Sequence, residues 1–393
     1  MNRSARIDAL VSDAVEQGVA PGVVAAAVTA DDVVYQGAFG RLGLSGDAPI
    51  QPDTIFWIAS MTKALTSVAA MQLVEGGALS LDQPIGAIVP ELYRPQILKG
   101  FDADGAPRLR PAARAITLRH LLTHTSGFAE DAWHPDIGAY MRHAGIPPGN
   151  TRRRATLDLP LLFEPGTRWQ YGISHEWAGQ AVERASGKPL DRSMNESLFG
   201  PLGMADTGWD LRECQKPRQA EVHQRGAAGQ LTPIVREIPA GREFIPGGGS
   251  LHSTAGDYLA FIKMILGGGR VDGAQLIGAD TLALMGQNHT GAIAVGELVP
   301  TVPALANRVE FMAGVSRCWG LGFQVNLEPL PTGRSTGSLA WAGLGNTYFW
   351  IDPARGIGGV LLTQILPFAD PAVLQLFARF ETAIYDAIGK RGQ

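Results

Sequence analysis

Apolar residues along the chain change their period more than once, and the changes divide it. From Ser4 to Glu16 the positions Ile7, Leu10, Val11 and Val15 recur every three to four residues, which predicts an amphipathic helix. Gly18 and the Pro21-Gly22 pair stop it. Two short apolar runs follow, VVAAAVT and VVYQGAFG, separated by the polar Ala30-Asp31-Asp32, and together they predict a β-hairpin. The loop GLSGDAPIQPDT then leads into a second helical stretch. There Leu65, Val68, Ala69, Leu73 and Val74 share one face, and Gly76-Gly77 close the end.

From about Asp82 to Pro246 the regularity is lost. Short helical pieces such as ITLRHLLTH and SHEWAGQAVERASG alternate with long connections rich in Pro, Gly and Arg, for example PPGNTRRRATLDLP. After PGGGS the pattern resumes. Thr254 and Asp257 predict a capping box ahead of YLAFIKMIL. Three β-like stretches follow, LGFQVNL, NTYFWID and GIGGVLLTQIL, and then a terminal helix with Val373, Leu376, Phe377 and Phe380 in register. The economical architecture is α/β (α+β): one antiparallel sheet built from both chain ends and flanked by the terminal helices, with a mainly helical insertion. Residues 1–55 and 247–393 would form the sheet domain. Residues 56–246 would form the helical domain.

Composition removes several function classes. The chain has 393 residues, 45% hydrophobic and 18% charged, enough for a large core. A net charge of −4 gives no basic footprint, so neither nucleic acid nor an anionic membrane is the expected partner. No stretch approaches the ~18 consecutive apolar residues of a membrane span. The N-terminal MNRSARIDALVSDAVEQG carries acids where a signal peptide needs an apolar run, so a cytoplasmic location is expected. The two cysteines, Cys214 and Cys318, allow at most one disulfide and no cysteine-rich zinc site. The eight histidines show no metal-ligand spacing, and no metal or other cofactor is expected.

The chemistry concentrates in WIASMTKALTSVAAMQLVEGG. Ser60 and Lys63 stand three residues apart at the head of the second helix, so the lysine nitrogen can reach the serine oxygen. A serine hydroxyl is a poor nucleophile until a neighbouring base takes its proton, and Lys63 stands among Ile58, Ala59, Met61 and Leu65. Alone, the same four residues fit an N-capping serine and a surface lysine. Tyr171, in EPGTRWQYGIS, is either a packing tyrosine or a second proton carrier. In SLAWAGLGNTYFWIDP, Gly343 within a strand marks a close approach. The Leu344 and Ser60 amides could then face a developing oxyanion; the bland reading is a bulged strand beside a core tryptophan. Phe128, Trp133 and Tyr140 either wall a substrate pocket or pack within the helical region.

Taken in this order, Ser60-Met61-Thr62-Lys63, LLTHTSG at 121–127, EPGTRWQYG and the late Trp-Ala-Gly strand resemble the serine β-lactamase and penicillin-recognising family. The similarity runs over nearly the whole chain, in the class C-like branch that includes the family VIII carboxylesterases. It implies a β-lactamase-like fold with a cleft between sheet and helical domains. It also implies that Ser60 is the nucleophile, that Lys63 and Tyr171 share its proton, and that the Ser60 and Leu344 amides form the oxyanion hole. Trp341, Gly343, Phe128 and Trp133 are the expected substrate-binding residues, and His124 is expected to be structural.

Two departures shape the substrate expectation. Tyr171-Gly172-Ile173 replaces the Tyr-x-Asn of β-lactamases, and Trp341-Ala342-Gly343 replaces a Lys-Thr-Gly whose cation meets a substrate carboxylate. Neutral short-chain esters are therefore the expected small-molecule substrates, and a serine carboxylesterase the expected enzyme. The alternatives are a β-lactamase or D-alanyl-D-alanine peptidase, an acyltransferase, and a non-catalytic penicillin-binding-like protein. GRSTG at 333–337 matches the α/β-hydrolase nucleophile elbow, but Ser335 precedes a strand and no histidine follows it. The Gly247–Gly249 run is expected to let the backbone cross near the site, and Arg152-Arg153-Arg154 to be a solvated loop.

Overall fold

An antiparallel sheet gathers strands from both ends of the chain. In the computed structural model, which describes residues 3–236 and 241–389, its order is Arg317–Trp319, Gln324–Asn326, Leu339–Gly343, Thr347–Asp352, Ile357–Leu362, Gly22–Val28 and Val33–Gly40. The predicted hairpin is present, closed where the Thr29 N–H donates to the Asp32 carbonyl at 2.9 Å. The N-terminal strand sits next to the last strand of the sheet, with Val24 opposite Leu362. Two chain ends more than three hundred residues apart thus form adjacent strands.

Both faces of this sheet are covered, which explains why its central strands read as apolar runs. Side chains alternate faces along a strand. On Thr347–Asp352, Tyr348 and Trp350 meet Phe377 and Phe380 of the terminal helix Pro371–Gly389. Phe349 points the other way, onto Tyr258 of the helix Ala255–Leu266 and onto Phe323. The first helix, Arg3–Glu16, packs against the last. Thr254 caps Ala255–Leu266, its side chain accepting from the Asp257 N–H at 3.1 Å, but the capping box is only half made, because the Asp257 carboxylate accepts from the Asp206 N–H and the Thr207 hydroxyl.

The segment between Phe56 and Pro246 is mixed. Its longest helices, Thr62–Glu75 and Ser174–Ser186, pack on each other. It also holds short strands that sequence periodicity does not reveal. Gln96–Phe101 pairs with Pro107–Pro111, and Val222–Arg225 pairs with Leu231–Ile234 on one side and Ile365–Leu366 on the other. Among the described residues no helix is long and apolar enough to cross a membrane. Cys214 is exposed and Cys318 buried, and neither is in a disulfide.

GRSTG lies in a turn between strands, without the strand–turn–helix geometry of a nucleophile elbow. The Ser335 N–H donates to Asp352, and the neighbouring Arg334 forms a two-pronged pair with Glu381 of the terminal helix, Nε to Oε1 at 2.7 Å. Both partners are almost completely buried. Removing one charge strands the other in a dry site. Arg334→Ala should therefore lower unfolding free energy by about 3–5 kcal/mol, whereas Arg334→Met combined with Glu381→Leu should cost clearly less. Urea titrations of the two variants check this; equal losses would contradict it.

Candidate active site

Strand Phe56–Ala59 is pinned by its backbone, and the pinning aims Ser60. Gln364 clasps Trp57, its Nε2 donating to the Trp57 carbonyl and its Oε1 accepting from the Trp57 N–H, both at 3.1 Å. On one side the strand pairs with Leu251–Ser253. On the other, Gly343 lies so close that a β-carbon there would stand 2.2 Å from the Ile58 carbonyl oxygen. The glycine expected to touch substrate is therefore a packing glycine that lets two strands meet. Ala59 then takes φ +44°, a left-handed conformation that an alanine adopts at a cost of about 1–3 kcal/mol. The chain turns sharply, and helix Thr62–Glu75 begins two residues after Ser60.

Ser60 therefore occupies the turn ahead of the helix and not its first position. The three-residue spacing still works: the Lys63 N–H donates to the Ser60 carbonyl at 3.1 Å, and Lys63 Nζ donates to Ser60 Oγ, also at 3.1 Å. Lys63 is 4% exposed. Its nitrogen also donates to the Gly248 carbonyl at 2.6 Å and lies 4.8 Å from the centre of the Tyr171 ring. The Gly247–Gly249 run does pass beside the site, and at Gly247 no side chain would fit. A β-carbon on Gly247 would lie 2.5 Å from the His175 carbonyl oxygen. Thr66, one turn after Lys63, donates to the Gly247 carbonyl at 2.7 Å and fastens the same run.

Tyr171 is buried, and its phenol oxygen accepts a hydrogen bond from the Trp341 indole N–H at 3.3 Å. Trp341 thus lines the cavity and also orients the phenol. Trp133 crosses the Tyr171 ring edge-on at 6.0 Å and forms part of the cavity wall. Phe128 does not. It is stacked on Trp177 inside the helical region, so its expected place in the pocket is corrected. Tyr140 likewise packs outside the cavity, against a small satellite cluster.

Ser60, Lys63, Tyr171, Trp341 and Leu344 open on one cavity of about 490 Å³. Its far wall is apolar, with Met141, Leu157, Leu298, Leu305 and Phe368. Neither the Ser60 nor the Leu344 N–H donates to another described residue. Both residues line the cavity, and neither amide is committed to an acceptor within the described residues. Among the described residues no group of three or more His, Cys, Asp or Glu is arranged to hold a metal ion.

Several residues around the site, His175, Glu130 and Glu176 among them, carry no signal in a single sequence. His124 is packed against Tyr171 and His175, with ring centres 4.7 and 4.8 Å away, and His175 Nε2 lies 3.1 Å from Ser67 Oγ. Burial holds both imidazoles far below their usual pKa, so they are neutral, in keeping with a structural His124. Glu130 and Glu176 line the cavity. Burial lifts the Glu130 carboxyl to about 7, with Asp131 and Glu176 adding to the rise and Lys63 opposing it. Glu176 is raised by burial as well, although Lys63 and the Gly247 and Gly248 amides act against the shift. Arg152 corrects a further expectation: the first residue of the arginine run is 3% exposed, while Arg153 and Arg154 face solvent.

The raised Glu130 carboxyl has a consequence for stability. Its folded pKa lies above its ordinary value of 4.5, so the native state holds the proton more tightly than the unfolded chain. The penalty is absent below about pH 4.5, grows as pH rises towards 7, and is complete above it. Glu130→Gln should therefore stabilise the protein at pH 8, by no more than about 3 kcal/mol, and much less at pH 5. Thermal unfolding of both proteins at the two pH values tests the sign; a larger gain at pH 5 would refute it.

The geometry agrees with what the chain is similar to. A Beta-lactamase family model matches residues 7–384. Monacolin J acid methylbutanoyltransferase from Aspergillus terreus is 32% identical over 406 residues, spanning 95% of this chain and 93% of that protein. Lovastatin esterase from Penicillium rubens is 33% identical over 402 residues, spanning 96% and 98%. Among solved structures, a mutant of simvastatin synthase from Aspergillus terreus superposes with a TM-score of 0.84 at 30% identity, covering 99% of this chain and 96% of its own. A full-length family match, and full-length relatives that include both transferases and an esterase, mean that the chain belongs to the beta-lactamase family, among its serine hydrolases and acyltransferases.

Proposed function

We propose that the protein forms an acyl-enzyme on Ser60 and passes the acyl group to a bulky apolar alcohol, with water as the competing acceptor. The observation that carries this reading is the buried Lys63 amine 3.1 Å from the Ser60 hydroxyl, at the edge of a large apolar cavity. In the mechanism, Ser60 Oγ attacks the donor carbonyl carbon and its proton passes to the Lys63 amine, beside Tyr171. The Ser60 and Leu344 amides receive the oxyanion. Collapse of the tetrahedral intermediate breaks the bond to the leaving group, which takes a proton from Lys63 or Tyr171. The acceptor hydroxyl repeats the sequence in reverse and frees Ser60.

Transfer is favoured over the plain short-chain esterase expected from sequence for two reasons. The cavity, about 490 Å³, is of a size that binds drug-sized ligands, far more than a short acyl chain needs. Its apolar wall also seats an alcohol more readily than it holds water. The relatives support the same reading, since the methylbutanoyltransferase is named for acyl transfer. Ester hydrolysis is the second reading, supported by the similarity to lovastatin esterase. A β-lactamase or peptidase is less well supported, because Trp341 and Ile173 stand where the substrate-binding cation and amide would be.

Two measurements test the proposal. Ser60→Ala should lower turnover of an activated ester by ~10⁴-fold or more, and Gly343→Ala, which forces the Ile58 strand away, by ~10²-fold. Near-normal turnover by Ser60→Ala would end the acyl-enzyme reading. With an activated butanoyl ester and a bulky apolar alcohol present together, the alcohol's butanoate should be the main product. Free butanoic acid alone, at saturating alcohol, would leave hydrolysis as the function.

A further inference from the structure

Two guanidinium groups, one in the wall of the reaction cavity and one in the cavity next to it, have no acid paired with them among the described residues. Arg236 lines the cavity itself. Its guanidinium lies over the Trp57 indole, 4.0 Å from the ring centre, and Nη2 stands 3.3 Å from His252 Nε2. Neither neighbour supplies a negative charge. Arg152 is 3% exposed and makes no side-chain hydrogen bond or ion pair with a described residue. Its nearest acids act on it only through space: Asp210 is paired with Arg242 at 2.5 Å, and Glu176 is directed towards the Gly247 and Gly248 amides.

These two cations face the same space. Both line a second cavity of about 830 Å³, and Arg236 belongs to the walls of both cavities. Arg236 also feels the Arg152 charge, which makes the pair repulsive in the empty protein. Withdrawing a cation from water without a partner is unfavourable, and placing a second beside it is more so. An arrangement of this kind is satisfied by an anion between the two. A guanidinium presents a planar fork of donors that matches carboxylate and phosphate oxygens.

We propose that Arg152 and Arg236 form an anion subsite that holds a carboxylate or phosphate on the substrate while its ester carbonyl lies at Ser60. The proposal rests on the Ser60 reading for the position of the carbonyl. Trp57 lies three residues before Ser60 and lines the same cavity, so the Arg236 guanidinium stacked on its indole stands in the wall beside the reacting carbon, and the graded ester lengths below measure the span. The Lys-Thr-Gly cation missing from Trp341-Ala342-Gly343 is then replaced from another part of the fold. The substrate class changes accordingly, from neutral esters to apolar esters with an acidic end.

The test uses matched 4-nitrophenyl esters. Monoesters of a dicarboxylic acid series, graded from short to long, are compared with alkanoates of equal length, and a parallel arm carries a terminal phosphate in place of the carboxylate. For the intact protein, kcat/KM for the acidic ester should exceed that for its neutral match by about tenfold at the bridging length. The arm with the larger ratio identifies the anion. Arg236→Gln and Arg152→Gln should each bring that ratio towards one, and Arg236→Lys should keep part of it. Ratios at or below one at every length in both arms, or ratios that survive both glutamine substitutions, would overturn the subsite. Calorimetry of the same dicarboxylate monoalkyl esters with Ser60→Ala protein separates the two proposals. Binding that is lost in the glutamine variants supports the subsite even if Ser60 is not the nucleophile, and no binding counts against it.

Discussion

The site depends on one amine kept out of water. Lys63 reaches Ser60 because its nitrogen is fastened on a second side by the Gly248 carbonyl and roofed on a third by the Tyr171 ring. A flexible four-carbon side chain in solvent would sample many rotamers. Here burial and two acceptors leave it one. The glycine run is what makes this possible. It is held to the helix that carries Lys63 by hydrogen bonds, and at Gly247 it lies against the helix that carries Glu176 at a distance no β-carbon would tolerate. Chemistry on Ser60 therefore depends on a segment almost two hundred residues further along the chain.

The same dependence extends through the sheet. Ser60 is aimed by a strand clasped by Gln364, just after the strand Ile357–Leu362, and pressed against Gly343 of the sheet. The phenol of Tyr171 is oriented by Trp341, from the strand that also leads to Leu344. Each reacting group is thus positioned by an element remote in sequence. The strained φ of Ala59 fits this picture: surrounding backbone contacts hold a conformation that an isolated turn would relax.

Legibility in the sequence followed the range of the interaction. The terminal helices, the opening hairpin and the late strands could be read because their periodicity is local, and both faces of the sheet are buried enough to leave apolar runs. Ser60 and Lys63 could be read because a three-residue spacing is itself a geometric statement. Phe128 was misplaced because its aromatic character says nothing of its direction; Trp177, far along the chain, decides that. Gly343 was read correctly as a point of close approach, but the approaching atom proved to be the Ile58 carbonyl and not a ligand. The strand pairs at 96–111 and 222–234 stayed hidden because they are short, part-exposed and interrupted by proline.

Arg152 shows most clearly how a local reading fails. In sequence it is one of three adjacent arginines, and charge runs are ordinarily solvated. In the fold its two neighbours are solvated and it is not, since the chain turns at Arg152 through φ +53° and carries that one side chain inward. The same logic applies to substrate charge. From Trp341-Ala342-Gly343 alone, a missing lysine implies a neutral ligand. That inference assumes the cation must come from the family's usual strand. A cavity has several walls, and Arg236 supplies a positive charge from another one, stacked on the residue three places before Ser60. Specificity for charge is therefore a property of the assembled cavity, and motif comparison at one strand cannot determine it.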